Sequence, residues 1–186
     1  MNRATAVAAV ILATLAGTVS TGCSTAPKSE DRASVISRSQ STTTWFKSNV
    51  NGLTSQIKNS AGYIVLPDVG QWGALIGGGT FGRGVLYKPD GTQIGWASIN
   101  AASVGLQAGV QGFRMLIVIE NQDELRNFMV GKWNGQAGAV AVLGDGGGSG
   151  AAPFQNGIAI YQGANSGLMA GVSVGLNNIR YESLEN

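Results

Sequence analysis

The side chains able to do chemistry are few, and the first of them is a thiol. Cys23 is the one cysteine among 186 residues, and it follows an apolar run that opens with Arg3 and stays uncharged from Ala4 to Val19. Thr21 and Gly22 put small residues just before it, and Ser20 stands where lipoprotein signals usually carry Leu. A basic start, about 7–15 apolar residues and a small-residue cut site make an export signal, and a cysteine at the cut accepts acyl chains. The expectation is a lipoprotein signal peptide over residues 1–22 and a mature chain that begins at an acylated Cys23. Two or more chains hold a protein stably at a bilayer. Ser24, rather than Asp, follows the anchor, which by the usual sorting rule of Gram-negative lipoproteins directs the protein to the outer membrane, facing the periplasm.

The rest of the reactive inventory excludes more than it offers. The chain has no histidine, so neither a Ser-His-Asp nor a Cys-His site can be built, and a zinc site would have to be made of carboxylates alone. Carboxylate-only catalysis has Asp68, Asp90, Glu120, Asp123, Glu124 and Asp145 as its candidates. Asp90 falls in a turn and Asp123 and Glu124 open a helix, so the chain is read as a non-enzyme with no metal and no cofactor. Gly77-Gly78-Gly79-Thr80-Phe81-Gly82 matches GxGxxG by letter. A dinucleotide site needs those glycines to open a helix, whereas Val85-Leu86-Tyr87 continues as a strand.

Charged residues are 12% of the chain, about half the usual share. Without Arg3, eleven basic residues balance ten acidic ones, which leaves no broad positive field to capture nucleic acid.

These residues need elements to position them. Residues 23–40, rich in Ser, Arg and Ala, read as a flexible tether. From Ser41 onward Phe46, Val50, Leu53 and Ile57 recur at intervals of four, three and four, with Trp45 alongside. That spacing predicts an amphipathic helix of about 18 residues, capped by the hydroxyls of residues 41–44. Then the texture changes: 26 of the 29 glycines lie between Gly62 and Gly175, and glycine costs a helix about 1 kcal/mol each.

Strands are predicted at 63–66, stopped by Pro67, and at 73–78, 82–88, 92–99, 103–111 and 113–120. Further strands fall at 136–143, 157–163 and 167–176, with a mobile glycine loop over 144–150. Lys88-Pro89-Asp90-Gly91-Thr92 reads as a hairpin turn. A short helix over 122–130 has Asn121 as its cap, Leu125, Phe128 and Met129 on its buried side and Gly131 at its end. Gly105-Leu106-Gln107-Ala108-Gly109-Val110 echoes Gly167-Leu168-Met169-Ala170-Gly171-Val172. Glycines so spaced suit a strongly curved sheet. The fold class is therefore α+β, predominantly β: a glycine-rich, barrel-like antiparallel sheet with an N-terminal amphipathic helix and one short helix near 122–130.

Four blocks occur in a fixed order: Ala61-Gly62-Tyr63-Ile64-Val65-Leu66-Pro67-Asp68-Val69; Gly77-Gly78-Gly79 with Gly82-Arg83-Gly84-Val85-Leu86; Ala102-Ser103-Val104-Gly105-Leu106-Gln107-Ala108-Gly109; and Ser166-Gly167-Leu168-Met169-Ala170-Gly171-Val172-Ser173. Together they resemble the SYLF family over residues 41–186, in its bacterial lipoprotein branch, which is similar to the yeast actin-binding members. The resemblance implies phospholipid binding, with actin binding in some fungal members and no catalytic residues. Actin and phosphoinositides are foreign to a bacterial envelope, so the implied partner is another anionic phospholipid.

A headgroup site needs cations or backbone N–H groups beside an apolar shelf. Trp45, Lys47 and Lys58 on the first helix and Arg83 and Lys88 flanking Val85-Leu86-Tyr87 are the residues assigned to it, with Trp72, Trp96 and Trp133 as further interfacial candidates. The alternative is a structural, self-associating envelope lipoprotein without a specific lipid ligand.

Overall fold

The computed structural model describes residues 25–74, 77–103, 109–133, 139–143, 149–166 and 178–184. Cys23, residues 144–148 of the expected 144–150 loop, the strand expected at 167–176 and most of both GLxAGV segments lie outside them, while Ser149–Gly150, the end of that loop, is a strand. A turn of 3₁₀ helix at Ser29–Asp31 leads into α1 (Arg32–Asn49). Next come β1 (Val50–Asn51), α2 (Leu53–Lys58), β2 (Gly62–Ala74), β3 (Gly77–Tyr87), β4 (Gln93–Ser103) and β5 (Gly109–Ile119). α3 (Gln122–Met129), β6 (Ala139–Leu143), β7 (Ser149–Gly150), β8 (Ile158–Ser166) and β9 (Ile179–Glu182) complete the order.

Seven strands form one sheet in the order β6-β8-β5-β2-β3-β4-β9; every pair is antiparallel except β6 with β8. β1 and β7 make a separate parallel pair. The architecture is thus predominantly β with a few helices, as expected. The barrel-like closure is not found: among the described residues β6 and β9 are the free edges of an open sheet.

The first helix departs from expectation. It starts at Arg32, inside the stretch read as a tether, and Glu30 and Asp31 sit at its positive end. Its buried side consists of Val35, Ser39, Thr42, Thr43 and Phe46, at helical spacing but with hydroxyls where hydropathy looks for aliphatics. The Thr43 hydroxyl donates to the Ser39 carbonyl at 2.8 Å, which satisfies it inside the helix and lets the small side chains face the sheet. The Phe46-Val50-Leu53-Ile57 stripe is not one helix. Val50 is extended and Gly52 takes φ +86°, so the chain turns before α2, and all four side chains are nevertheless buried.

Pro67 does not stop its strand. Pairing of β2 skips from Val65 to Asp68 against β3 and from Leu66 to Val69 against β5. Proline has no N–H to give to a ladder and is tolerated at such a bulge. Opposite the bulge, a Cβ on Gly84 would come within 1.9 Å of the Val65 carbonyl oxygen. The strand expected at 73–78 is instead a hairpin end, with Gly73 opposite Gly78 and Ala74 opposite Gly77. Other expectations hold: Gly91 sits at φ +90° in the β3–β4 turn, and the Asn121 side chain accepts from the Glu124 N–H at 3.0 Å to cap α3. Leu125 and Phe128 are buried, whereas Met129 is exposed, facing away from the sheet side it was assigned to.

The alternation of side chains along each strand sorts the core into two layers. Tyr63, Val65, Val85, Tyr87, Trp96, Leu116 and Tyr161 lie beneath α1 and α2 with Phe46, Leu53 and Ile57. Ile64, Leu66, Leu86, Met115, Ile117 and Ile160 form the opposite layer with Leu125, Phe128 and Trp133.

Candidate functional site

β2, β3 and β4 run beyond the cover of α1, and the bulge decides what they show there. Leu66 belongs to the layer facing α3, and strict alternation would send Asp68 the same way. The irregularity at Pro67 re-aims it to the α1 side. A row then crosses four strands in register: Asp68 pairs with Arg83, Arg83 with Ser98, and Ser98 with Arg180. The next row is Gly70, Phe81 and Asn100, and the one after is Trp72, Gly79 and Ala102.

The aromatic members of these rows rest on glycine. A Cβ on Gly70 would meet the Phe81 ring at 2.5 Å, and one on Gly79 would meet Trp72 Nε1 at 2.8 Å. Each ring occupies the space a side chain at the facing glycine would fill, yet Phe81 remains 57% and Trp72 48% exposed. Side by side on one sheet face, they are large apolar surfaces left in water.

Beside them opens a groove of about 640 Å³ lined by Thr25, Asp68, Phe81, Arg83, Ser98, Asn100 and Arg180, among others. Two smaller hollows continue it under the first half of α1. One is bounded by Arg38, Asp68 and Arg83, the other by Arg38, Asp68 and Arg114. Arg38 reaches down from α1 to form an ion pair with Asp68. The Arg114 guanidinium stacks over the Trp45 ring, 4.4 Å from its centre. Arg83 and Arg180 are exposed and form no ion pair among the described residues. Two arginines, Arg83 and Arg180, therefore line the main groove, and Arg38 and Arg114 border the hollows beside it, against the carboxylates of Asp68 and Asp31.

The rim is anchored at its N-terminal side. The Ala26 N–H donates to Glu182 Oε2 at 2.9 Å, and Ala26 and Pro27 are buried, which holds Thr25 at the groove wall.

Of the residues assigned from sequence, the structure brings only Arg83 into this groove. Lys47 and Lys58 are exposed on the last turns of α1 and α2. Lys88 is exposed just past β3, on the far side of Val85 and Tyr87, which lie under α1. Trp45 is half-buried, packed edge-on to Phe46 at 5.0 Å and against Gly163, so its ring belongs to the domain. Trp96 and Trp133 are buried in the two core layers and cannot face a lipid surface, whereas Trp72 is about half exposed.

Sequence reasoning missed Arg38, Phe81 and Arg180. Arg38 lay in the supposed tether. Phe81 was seen only as part of a glycine motif, and Arg180 reaches the groove only because β9 pairs with β4. The signal open to reading was strict alternation in 79–85, which puts Gly79, Phe81, Arg83 and Val85 on one face.

Residues 100–186 match the family model described as "Ysc84: Las17-binding protein actin regulator". The matched stretch contains Asn100 and Arg180 of the groove and Arg114 of the hollow beside it, whereas Asp68, Phe81, Arg83 and all of α1 precede it. No curated protein matches the chain.

Proposed function

Taking as premise that residues 100–186 are of the SYLF type, we propose that this protein is a non-enzymatic, lipid-anchored component of the cell envelope. It is acylated at Cys23, sits at the outer membrane facing the periplasm, and binds anionic phospholipid through the arginine groove and its aromatic rim. The observation that supports this reading best is the adjacency of Phe81 and Trp72, both about half exposed, to Arg83 and Arg180 on one open sheet face.

The chemistry follows from the side chains. Guanidinium forks hold phosphate oxygens bidentately, and aromatic rings favour the headgroup level of a bilayer. Each basic residue near an anionic surface contributes about 1 kcal/mol. A few such contacts are weak alone, and the acyl anchor makes them effective by keeping the groove at high local concentration over the surface. The description of the matching family names an actin regulator; actin is no partner for a protein in a bacterial envelope.

Co-sedimentation of the full chain with vesicles of graded anionic content, at low and high salt, tests the reading. Binding should rise with anionic lipid, weaken with salt, and fall when Phe81 is replaced by Ala. Salt-independent behaviour together with a mass that grows with protein concentration would point instead to self-association through the same aromatic face.

A further inference from the structure

The groove contains an anion of its own. Asp68 borders the main groove and both smaller hollows, pairs with Arg38 of α1 and stands beside Arg83 as its neighbour across the strands. Only the bulge at Pro67 puts it on this face. The fold gains little from the contact: the Arg38 and Asp68 side chains are 53% and 54% exposed, and an ion pair so exposed to water contributes only weakly to stability. A carboxylate set among arginines does, however, occupy the cation that an incoming anion would use.

We infer that Asp68 is the internal counter-ion of the arginine groove and sets its selectivity: a lipid phosphate binds by displacing Asp68 from Arg38, which favours a phosphomonoester headgroup over a phosphodiester. The inference rests on the phospholipid reading above. A phosphodiester carries one negative charge, the same as the carboxylate it must replace, and the carboxylate is tethered and always at hand. A phosphomonoester carries about −1.5 to −2 at neutral pH, with three strong acceptor oxygens. It can engage Arg83 and Arg180 and still compete for Arg38.

The test compares the full chain with its Asp68→Asn variant, which keeps the side-chain shape and removes the charge. Asp68→Ser serves as a second variant, and thermal melting confirms that each is folded. Vesicles of phosphatidylcholine carry either phosphatidic acid or phosphatidylglycerol, matched in surface charge, and bound protein is measured by co-sedimentation. The native chain should prefer phosphatidic acid by about threefold to fivefold, the scale of a half-exposed ion pair. Both variants should lose that preference by gaining affinity for phosphatidylglycerol.

Variants that retain the native preference and gain nothing on phosphatidylglycerol overturn the inference, while the native chain's own binding leaves the phospholipid reading standing. A parallel titration with inorganic phosphate, followed through the Arg83 side-chain N–H signal, separates the two ideas. If neither protein sediments with any vesicle but the variants bind free phosphate more tightly than the native chain, the counter-ion role of Asp68 holds and the membrane reading falls.

Discussion

At one end of β2, β3 and β4 the face beneath α1 is closed: Tyr63, Val65, Val85, Tyr87 and Trp96 are buried, and the Tyr63 and Tyr87 rings stack 5.3 Å apart. At the other end the same strands, on the same face, hold Trp72, Phe81 and Arg83 out to water. Both ends are aromatic, so composition does not separate them. The difference lies in what each ring rests on. In the closed half the rings meet other large side chains and a helix; in the open half they meet Gly70 and Gly79. Glycine across the strand gives a ring a seat without giving it a cover. Strands of 11 to 13 residues thus serve as core along one half and as binding surface along the other.

Truncation should separate the halves most sharply. Phe46→Ala, in the closed half, is expected to destabilise the fold by about 3–5 kcal/mol in urea unfolding, whereas Phe81→Ala should change stability by about 0.5 kcal/mol or less. Equal losses would erase the distinction. Gly84→Ala comes next: its Cβ would press on the Val65 carbonyl beside the bulge, for a loss of about 3 kcal/mol. Gly70→Ala presses first on the tip of the Phe81 ring, an exposed side chain that can swing aside, and should cost about 1 kcal/mol or less.

Alkali probes the closed half alone. Burial first, and the nearby Tyr63 second, push the Tyr87 phenol from 10.0 up to about 12; burial also raises Tyr63 and Tyr161. The folded state holds the neutral phenol. Its contribution to stability is complete below pH 10 and is lost as pH rises toward 12. Absorbance titration should show these tyrosines ionising late, with unfolding, and Tyr87→Phe should flatten that alkaline fall.

Smaller still is Tyr161→Phe. The Tyr161 hydroxyl accepts from the Ala152 N–H at 2.8 Å and donates to Gln56, and Gln56 in turn donates to the Ala152 carbonyl at 2.8 Å. Removing it should cost about 1–2 kcal/mol by urea unfolding, with vesicle binding unchanged because the network lies away from the groove.

The contrast between α3 and α1 explains what could be read from sequence. α3 carries Asn121 as a cap and a narrow apolar stripe, and its residues were legible almost to the ends. α1 buries Ser39, Thr42 and Thr43, and hydroxyls at helical spacing look the same as a solvated linker until a sheet covers them. The Pro67 bulge was misread as a stop because proline's missing N–H says that pairing is interrupted but not that the strand resumes. Of the groove, Arg83 was legible as a cation on a strand. Asp68, Ser98 and Arg180 come together only through register across four strands, which no local pattern encodes.

The most direct test of the central claim sets two charge reversals against each other in the full chain: Arg83→Glu with Arg180→Glu in the groove, and Lys47→Glu with Lys58→Glu on the helices. Both change net charge equally, so a diffuse electrostatic attraction would respond alike to either. Co-sedimentation with anionic vesicles at low salt should show at least a tenfold loss for the arginine pair, as about 1 kcal/mol per basic contact implies, and little change for the lysine pair. Equal losses, or a larger loss from the lysines, would contradict the assignment of the groove as the lipid-binding face.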